Sequence, residues 1–207
     1  AAISCADLAA SEAKRLGRGR VVVYQPQLYD QQQRKLALGV ALNTAHRDDS
    51  LRLNFQPVVR ASDGQPAAFE ALLRWQPSGF GPVSPDEFIP LAEECGIICE
   101  LGNWVLNEAC QQLHRWAANP ATKDISLAVN ISAPQIHQPD FTAQVMAAIS
   151  DAGITPARLK LELTESLLLN DTEEIISKMI ELKTGGIGFS LDDFGTGYSS
   201  LSYLKRL

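Results

Sequence analysis

Three absences frame this 207-residue chain. It has no surplus of cations: 18 Lys and Arg face 24 Asp and Glu, a net charge of -6. A nucleic-acid-binding surface would need clustered Lys and Arg to neutralise phosphates, so that class of partner is not expected. It has no CxxC pair. Cys5, Cys95, Cys99 and Cys110 fit small buried hydrophobes in a reducing compartment, and with His46, His114 and His137 far apart a zinc site is not expected. Nor does any apolar run approach the roughly 20 residues that span a bilayer, or the N-terminus resemble a signal peptide. The expected location is the cytoplasm, with no membrane contact from this chain itself and any anchor lying outside it.

What is present is the make-up of a globular protein, 45% hydrophobic and 20% charged. From Leu51 onward, short apolar or alternating runs separated by helical segments predict an α/β fold with a largely parallel sheet. Strands are expected near 51–59, 67–75, 125–132, 159–165 and 187–193. Ser84, Pro85 and Glu87 form the signature of a capped helix that Gly96 stops. Asp171 and Glu174 mark another start, and Ile175, Ile176, Met179 and Ile180 form its apolar stripe. Further helices fit 100–118, 138–152 and 198–207. The opening differs: Ala6 to Arg15 reads as helix, Gly17 to Arg20 as a turn, and Val21 to Tyr24 as a strand without a local partner. A polar stretch from Gln25 to Lys35 leads into a helix ending near His46, with a boundary drawn around Asp30.

Side chains alternate along a strand, so residues two apart share a face. One face collects Leu51, Leu53, Phe55, Phe69, Ala71, Leu73, Trp75, Leu127, Val129, Ile131, Leu159, Leu161, Leu163, Phe189 and Leu191, and is expected to pack on helices. The other carries Arg52, Asn54, Gln56, Glu70, Arg74, Asn130, Lys160, Glu162, Thr164 and Asp192 among smaller residues. A parallel sheet covered on both faces reads as continuous apolar runs, and this one does not. A (β/α) barrel satisfies the pattern, with functional groups at the C-terminal strand ends, where Glu70, Asn130, Glu162, Asp192 and Asp193 are expected.

Converging carboxylates repel and are costly to desolvate, and a divalent cation removes both problems. Oxygen-only donors point to Mg²⁺ or Mn²⁺. Adjacent Asp192 and Asp193 suit a pair of ions able to activate water against a phosphodiester. Each acid alone reads more simply as a cap, a surface group, or half of an ion pair with Arg52, Arg74 or Lys160. The metal reading rests on the set.

The ordered motifs resemble those of the EAL phosphodiesterases. They run Phe55-Gln56-Pro57, Glu70-Ala71-Leu72-Leu73-Arg74, Pro85-Asp86-Glu87-Phe88-Ile89-Pro90 with Ala92-Glu93, Val129-Asn130-Ile131-Ser132, Leu161-Glu162-Leu163-Thr164-Glu165, and Asp192-Asp193-Phe194-Gly195-Thr196-Gly197-Tyr198-Ser199-Ser200-Leu201. The resemblance implies a (β/α)8 TIM-like barrel of the EAL type that is incomplete here, with about five of eight strands. It implies metal-dependent hydrolysis of cyclic di-GMP to linear pGpG, with Glu70, Asp192 and Asp193 at the catalytic centre. Glu70, Asn130, Glu162 and Asp192 would hold the first ion, and Asp192 with Asp193 the second, Mg²⁺ or Mn²⁺. Gln56, Leu72 and Arg74 would contact the ligand, Arg74 through a phosphate oxygen. Glu165 is similar to the glutamate that pins the loop Asp193 to Ser200 in this family, and on its residues alone also reads as a helix cap. The same resemblance implies a homodimer whose contacts that loop couples to metal binding.

Residues 1–24 resemble the C-terminal end of a GGDEF diguanylate cyclase domain, although Ala10 and Ser11 replace a usual leucine and tyrosine. The expected organisation is therefore a GGDEF-like remnant over 1–24, a linker and connecting helix over 25–48, and an EAL domain over 49–207 that stops before the sixth strand. The family's catalytic lysine and a later glutamate and glutamine would follow Leu207, so either a partial record of a longer chain or completion of the barrel by another segment is expected. A second reading is a catalytically silent cyclic di-GMP receptor; degenerate family members typically lose metal ligands, and those expected within this chain are all present.

Overall fold

The computed structural model describes residues 2–15, 17–164, 167 and 172–192. Its centre is one five-stranded sheet: β1 (Leu51–Val59), β2 (Pro66–Trp75), β3 (Ser126–Asn130), β4 (Leu159–Thr164) and β5 (Gly188–Asp192), ordered as in the chain. The β1 and β2 strands pair antiparallel, and every later neighbour pairs parallel. Chain length explains the difference. The connection from Arg60 to Gln65 suits a hairpin, whereas each parallel neighbour follows a crossover long enough to carry helices.

Those crossovers are α3 (Pro85–Glu94) and α4 (Ile98–Ala117), then α5 (Ala133–Ile136) and α6 (Phe141–Ala152), then α7 (Thr172–Thr184). In α4 the buried Ile98, Leu101, Val105, Ala109 and Leu113 recur every three or four positions and Leu106 lies beside them, which makes one apolar stripe. Its Val105, Leu106, Ala109 and Leu113 pack with Leu127, Val129, Leu159, Leu161 and Leu163, all from the apolar strand face. A second cluster joins Leu51 and Trp75 to Phe88 and Leu91 of α3 and to Leu38 and Leu42 of α2 (Pro26–Leu42). Each fully buried Leu contributes roughly 2 kcal/mol of transfer free energy. Both clusters draw their strand residues from the same face, so the helices lie on one side and the polar face stays bare of them. Successive βα units with helices on one side only are the arrangement of a (β/α) barrel.

The opening segment corrects three expectations. Val21 to Tyr24 is not a strand, and Val21 and Val23 stand 93% and 75% exposed, because among the described residues no neighbouring strand offers hydrogen bonds. The polar stretch after Gln25 is already helical from Pro26, and α2 ends at Leu42, short of His46. Gln, Lys and Arg are good helix formers. Here Arg34 pairs with Glu87 (2.7 Å) and Lys35 with Glu94, both on α3. That pairing also empties the capping box read at Ser84, which makes no side-chain cap. The Arg34 guanidinium instead holds the Glu87 carboxyl below the usual carboxylate range. The helix over Ala2–Arg15, α1, matches its expectation with an earlier start.

Of the cysteines, only Cys110 is buried, and burial pushes its thiol up to about 12. Cys95 is exposed and Cys5 and Cys99 are half-buried, so the reading of four buried hydrophobes holds for one of them. The helix expected at 198–207 lies outside the described residues, as does Asp171. Glu174 turns to Lys178 (2.6 Å) rather than to a cap.

Arg158 ends the 3-10 turn Pro156–Arg158 and ties it to α4 and to the loop before β3. Its guanidinium donates to the carbonyls of Ile125 (3.0 Å), Leu113 (3.0 Å) and Thr122 (3.1 Å). Arg158→Met keeps much of the packing but leaves these acceptors without a charged donor. It is expected to lower unfolding free energy by about 2 kcal/mol, read from the urea midpoint. An unchanged midpoint would show that water satisfies the three carbonyls equally well.

Candidate functional site

Four of the expected site residues stand on the bare polar face. Asn130 and Asp192 end β3 and β5, and Glu162 lies two residues before the end of β4. Glu70 departs from its expected position, since β2 continues five residues past it to Trp75. The extension exists because β2 pairs along its whole length with β1, while its parallel ladder with β3 stops at Ala71. Glu70 is therefore near the end of that ladder though in the middle of its strand.

The register draws these groups together. Glu70 is level with Ala128, Asn130 with Glu162, Glu162 with Ser190, and Thr164 with Asp192. Asn130 Nδ2 donates to Glu70 Oε1 at 2.7 Å, across 60 residues of sequence. Ser190 Oγ donates to Glu162 Oε1, also at 2.7 Å. These bonds leave Glu70 Oε2, Asn130 Oδ1 and Glu162 Oε2 unspent among the described residues. Three oxygens from successive strands fit a hard divalent cation in donor chemistry. Among the described residues, no three Asp, Glu, His or Cys side chains gather into a complete cation cage. Asp193 and Glu165 lie outside the described residues.

Beside these groups opens a cavity of about 470 Å³, lined by Leu72, Arg74, Asn130, Glu162 and Thr164 from the strands. Its far wall comes from α3 and α4 through Pro85, Ile89, Glu93, Ile98 and Gly102. Gln56 is not among its lining, but is the cross-strand partner of Glu70. The motif Pro85 to Pro90 with Glu93 carries no role in the sequence pattern, and the proximity of Pro85, Ile89 and Glu93 to Arg74 is not readable from strand alternation. Gly102 carried a signal that could have been found, since glycine inside an amphipathic helix costs about 1 kcal/mol relative to alanine and needs a reason. The reason is Gln135, whose amide lies against the Gly102 backbone and accepts from Ser132 N (3.3 Å) and Ser132 Oγ (3.2 Å).

The fold and the site define a (β/α)-barrel domain with an oxygen-donor face next to a cavity that presents an arginine. The family model for the EAL domain matches residues 39–207, and the chain belongs to that family. It is 39% identical over 202 residues to the bifunctional diguanylate cyclase/cyclic di-GMP phosphodiesterase MucR of Pseudomonas aeruginosa, covering 98% of this chain and 29% of that protein. The cyclic di-GMP phosphodiesterase NbdA of the same organism is 37% identical over 202 residues, covering 98% of this chain and 26% of that protein. A solved MucR phosphodiesterase in complex with c-di-GMP superposes with a TM-score of 0.79 at 41% identity, covering 83% of this chain and 69% of that one. The chain thus spans about a quarter of the length of the curated relatives it matches. Among the described residues no helix is long and apolar enough to cross a membrane.

Proposed function

We propose that this chain supplies the metal-binding face and part of the ligand cavity of a cyclic di-GMP phosphodiesterase that yields linear pGpG. The observation that carries the reading is the Glu70–Asn130 contact, level with Glu162 and adjoining the cavity that holds Arg74. It is supported by family membership and by the names of the relatives, two of which are cyclic di-GMP phosphodiesterases. Glu70, Asn130, Glu162 and Asp192 would hold one Mg²⁺ or Mn²⁺, and Asp192 with Asp193 a second. When bound, the cations supply Lewis-acid polarisation of the phosphodiester and of the attacking water.

The chain's own groups do the positioning. Asn130 fixes the rotamer of Glu70 by a hydrogen bond, and Ser190 does the same for Glu162. Arg74 offers a planar fork to a phosphate oxygen, while Gln56 and Leu72 border the ligand. Glu165 would pin the loop that begins at Asp193. The alignment to MucR reaches upstream of residue 39, which supports reading 1–24 as the end of a GGDEF-like domain and 25–48 as the link to an EAL domain over 49–207. The reading includes a homodimer, which the molar mass in solution from sedimentation equilibrium would test, and a cytoplasmic site of action.

The natural protein is expected to convert cyclic di-GMP to pGpG with Mg²⁺ or Mn²⁺ and to stop when EDTA removes the ion, followed by chromatography of the nucleotides. Tight binding without product would replace the enzyme by a receptor. Absence of binding would sink both.

A further inference from the structure

Arg52 and Arg74 are direct partners across the β1–β2 hairpin. Partners in an antiparallel pair share a face with Cβ atoms roughly 5 Å apart, and like charges so placed destabilise the pair. Among the described residues no carboxylate forms an ion pair with either arginine. Among the described residues Arg52 is exposed with no ion pair, and the one hydrogen bond assigned to Arg74 runs from Nη1 to the carbonyl of Leu73 at 2.8 Å.

The same ladder sets Gln56 against Glu70 and Asn54 against Leu72, so one strip runs from the carboxylate to the two arginines. Four steps along the strand take Glu70 to Arg74, roughly 13 Å between their Cα atoms. One end of the strip is therefore anionic, ready for cations, and the other is cationic; Glu93 lines the same cavity as Arg74, but among the described residues no ion pair joins it to either arginine. A cyclic dinucleotide carries two phosphodiesters. Only one can react at the carboxylate end, and the other keeps its charge throughout.

We propose that Arg52 and Arg74 together form an anion clamp for the phosphodiester that does not react, which makes Arg52 a ligand-binding residue. The inference rests on the cyclic di-GMP reading above. Two guanidinium groups offer a phosphate two planar forks, and the ligand's charge replaces the missing carboxylate between them. The repulsion in the free protein is the cost of keeping the clamp open.

Isothermal titration of the full natural protein with cyclic di-GMP, in EDTA so that no turnover occurs, tests this. Arg52→Gln is expected to weaken binding about tenfold, with Arg52→Lys between it and the parent because a point charge replaces the fork. Affinity should also depend less on ionic strength in Arg52→Gln. Without ligand, Arg52→Gln should melt no lower than the parent, since a like-charge contact has been removed. Under turnover, the effect should fall more on KM than on kcat. Binding by Arg52→Gln within about twofold of the parent would overturn the clamp, given the size expected of charged hydrogen bonds. So would equal losses in both variants together with a lower melting temperature, the mark of a structural residue. A parent protein that binds no cyclic di-GMP would instead overturn the phosphodiesterase reading itself.

Discussion

Glu70→Ala is expected to lower hydrolysis of cyclic di-GMP by on the order of a thousandfold or more, as loss of a charge-stabilising group at a reacting centre does. Two losses coincide in that variant. The proposed cation donor disappears, and Asn130 loses the acceptor of its 2.7 Å hydrogen bond, so its own oxygen is no longer held in place. Glu70→Gln separates the two, because its amide oxygen still accepts from Asn130 while the negative charge is gone. If the charge matters, both variants are inactive and only Glu70→Ala also loosens the site, seen as a smaller ligand-induced rise in Tm. Glu70 is half-buried and outside both hydrophobic clusters, so neither change should unfold the protein. Substantial turnover by Glu70→Gln would remove Glu70 from the metal-binding set.

The sheet was legible because alternation is a strong local signal, and all five strands fall within a few residues of their expected spans. The division of faces was equally legible. Leu127, Val129, Leu159, Leu161 and Leu163 are buried and packed on helices, while Gln56, Asn130 and Asp192 stand exposed on the other side. Errors arose where a long-range partner decides the outcome. The valines at 21–23 have strand propensity and no strand beside them. Arg34 and Lys35 look like loop residues until Glu87 and Glu94 meet them from α3. The depth of Glu70 within β2 follows from the length of its pairing with β1, which no local pattern encodes. The site itself divides the same way: strand alternation brought Glu70, Asn130, Glu162 and Asp192 to one face, whereas the α3 and α4 wall of the cavity is a product of packing.

That wall gives the second large effect, at Gly102. An alanine inside a helix ordinarily stabilises by up to about 1 kcal/mol over glycine. At Gly102 a Cβ would overlap the amide carbon, nitrogen and oxygen of Gln135. Gln135 is 3% exposed and tied to Ser132, two residues beyond Asn130, so it cannot swing into solvent without giving up both bonds. Gly102→Ala is therefore expected to cost about 2–3 kcal/mol by overpacking, read from the denaturant midpoint. The displaced Gln135 should release Ser132 and, through it, Asn130. Affinity for cyclic di-GMP is expected to fall by roughly tenfold, as happens when groups that orient first-contact residues are lost. The companion variant Gly102→Ala/Gln135→Ala removes the overlap. It should be more stable than the sum of the two single changes by about 1–3 kcal/mol, a coupling of the size seen between residues in contact. Gly102→Ala as stable as the parent would show that the Gln135 amide moves freely, and the link between α4 and the Asn130 end of β3 would fail with it.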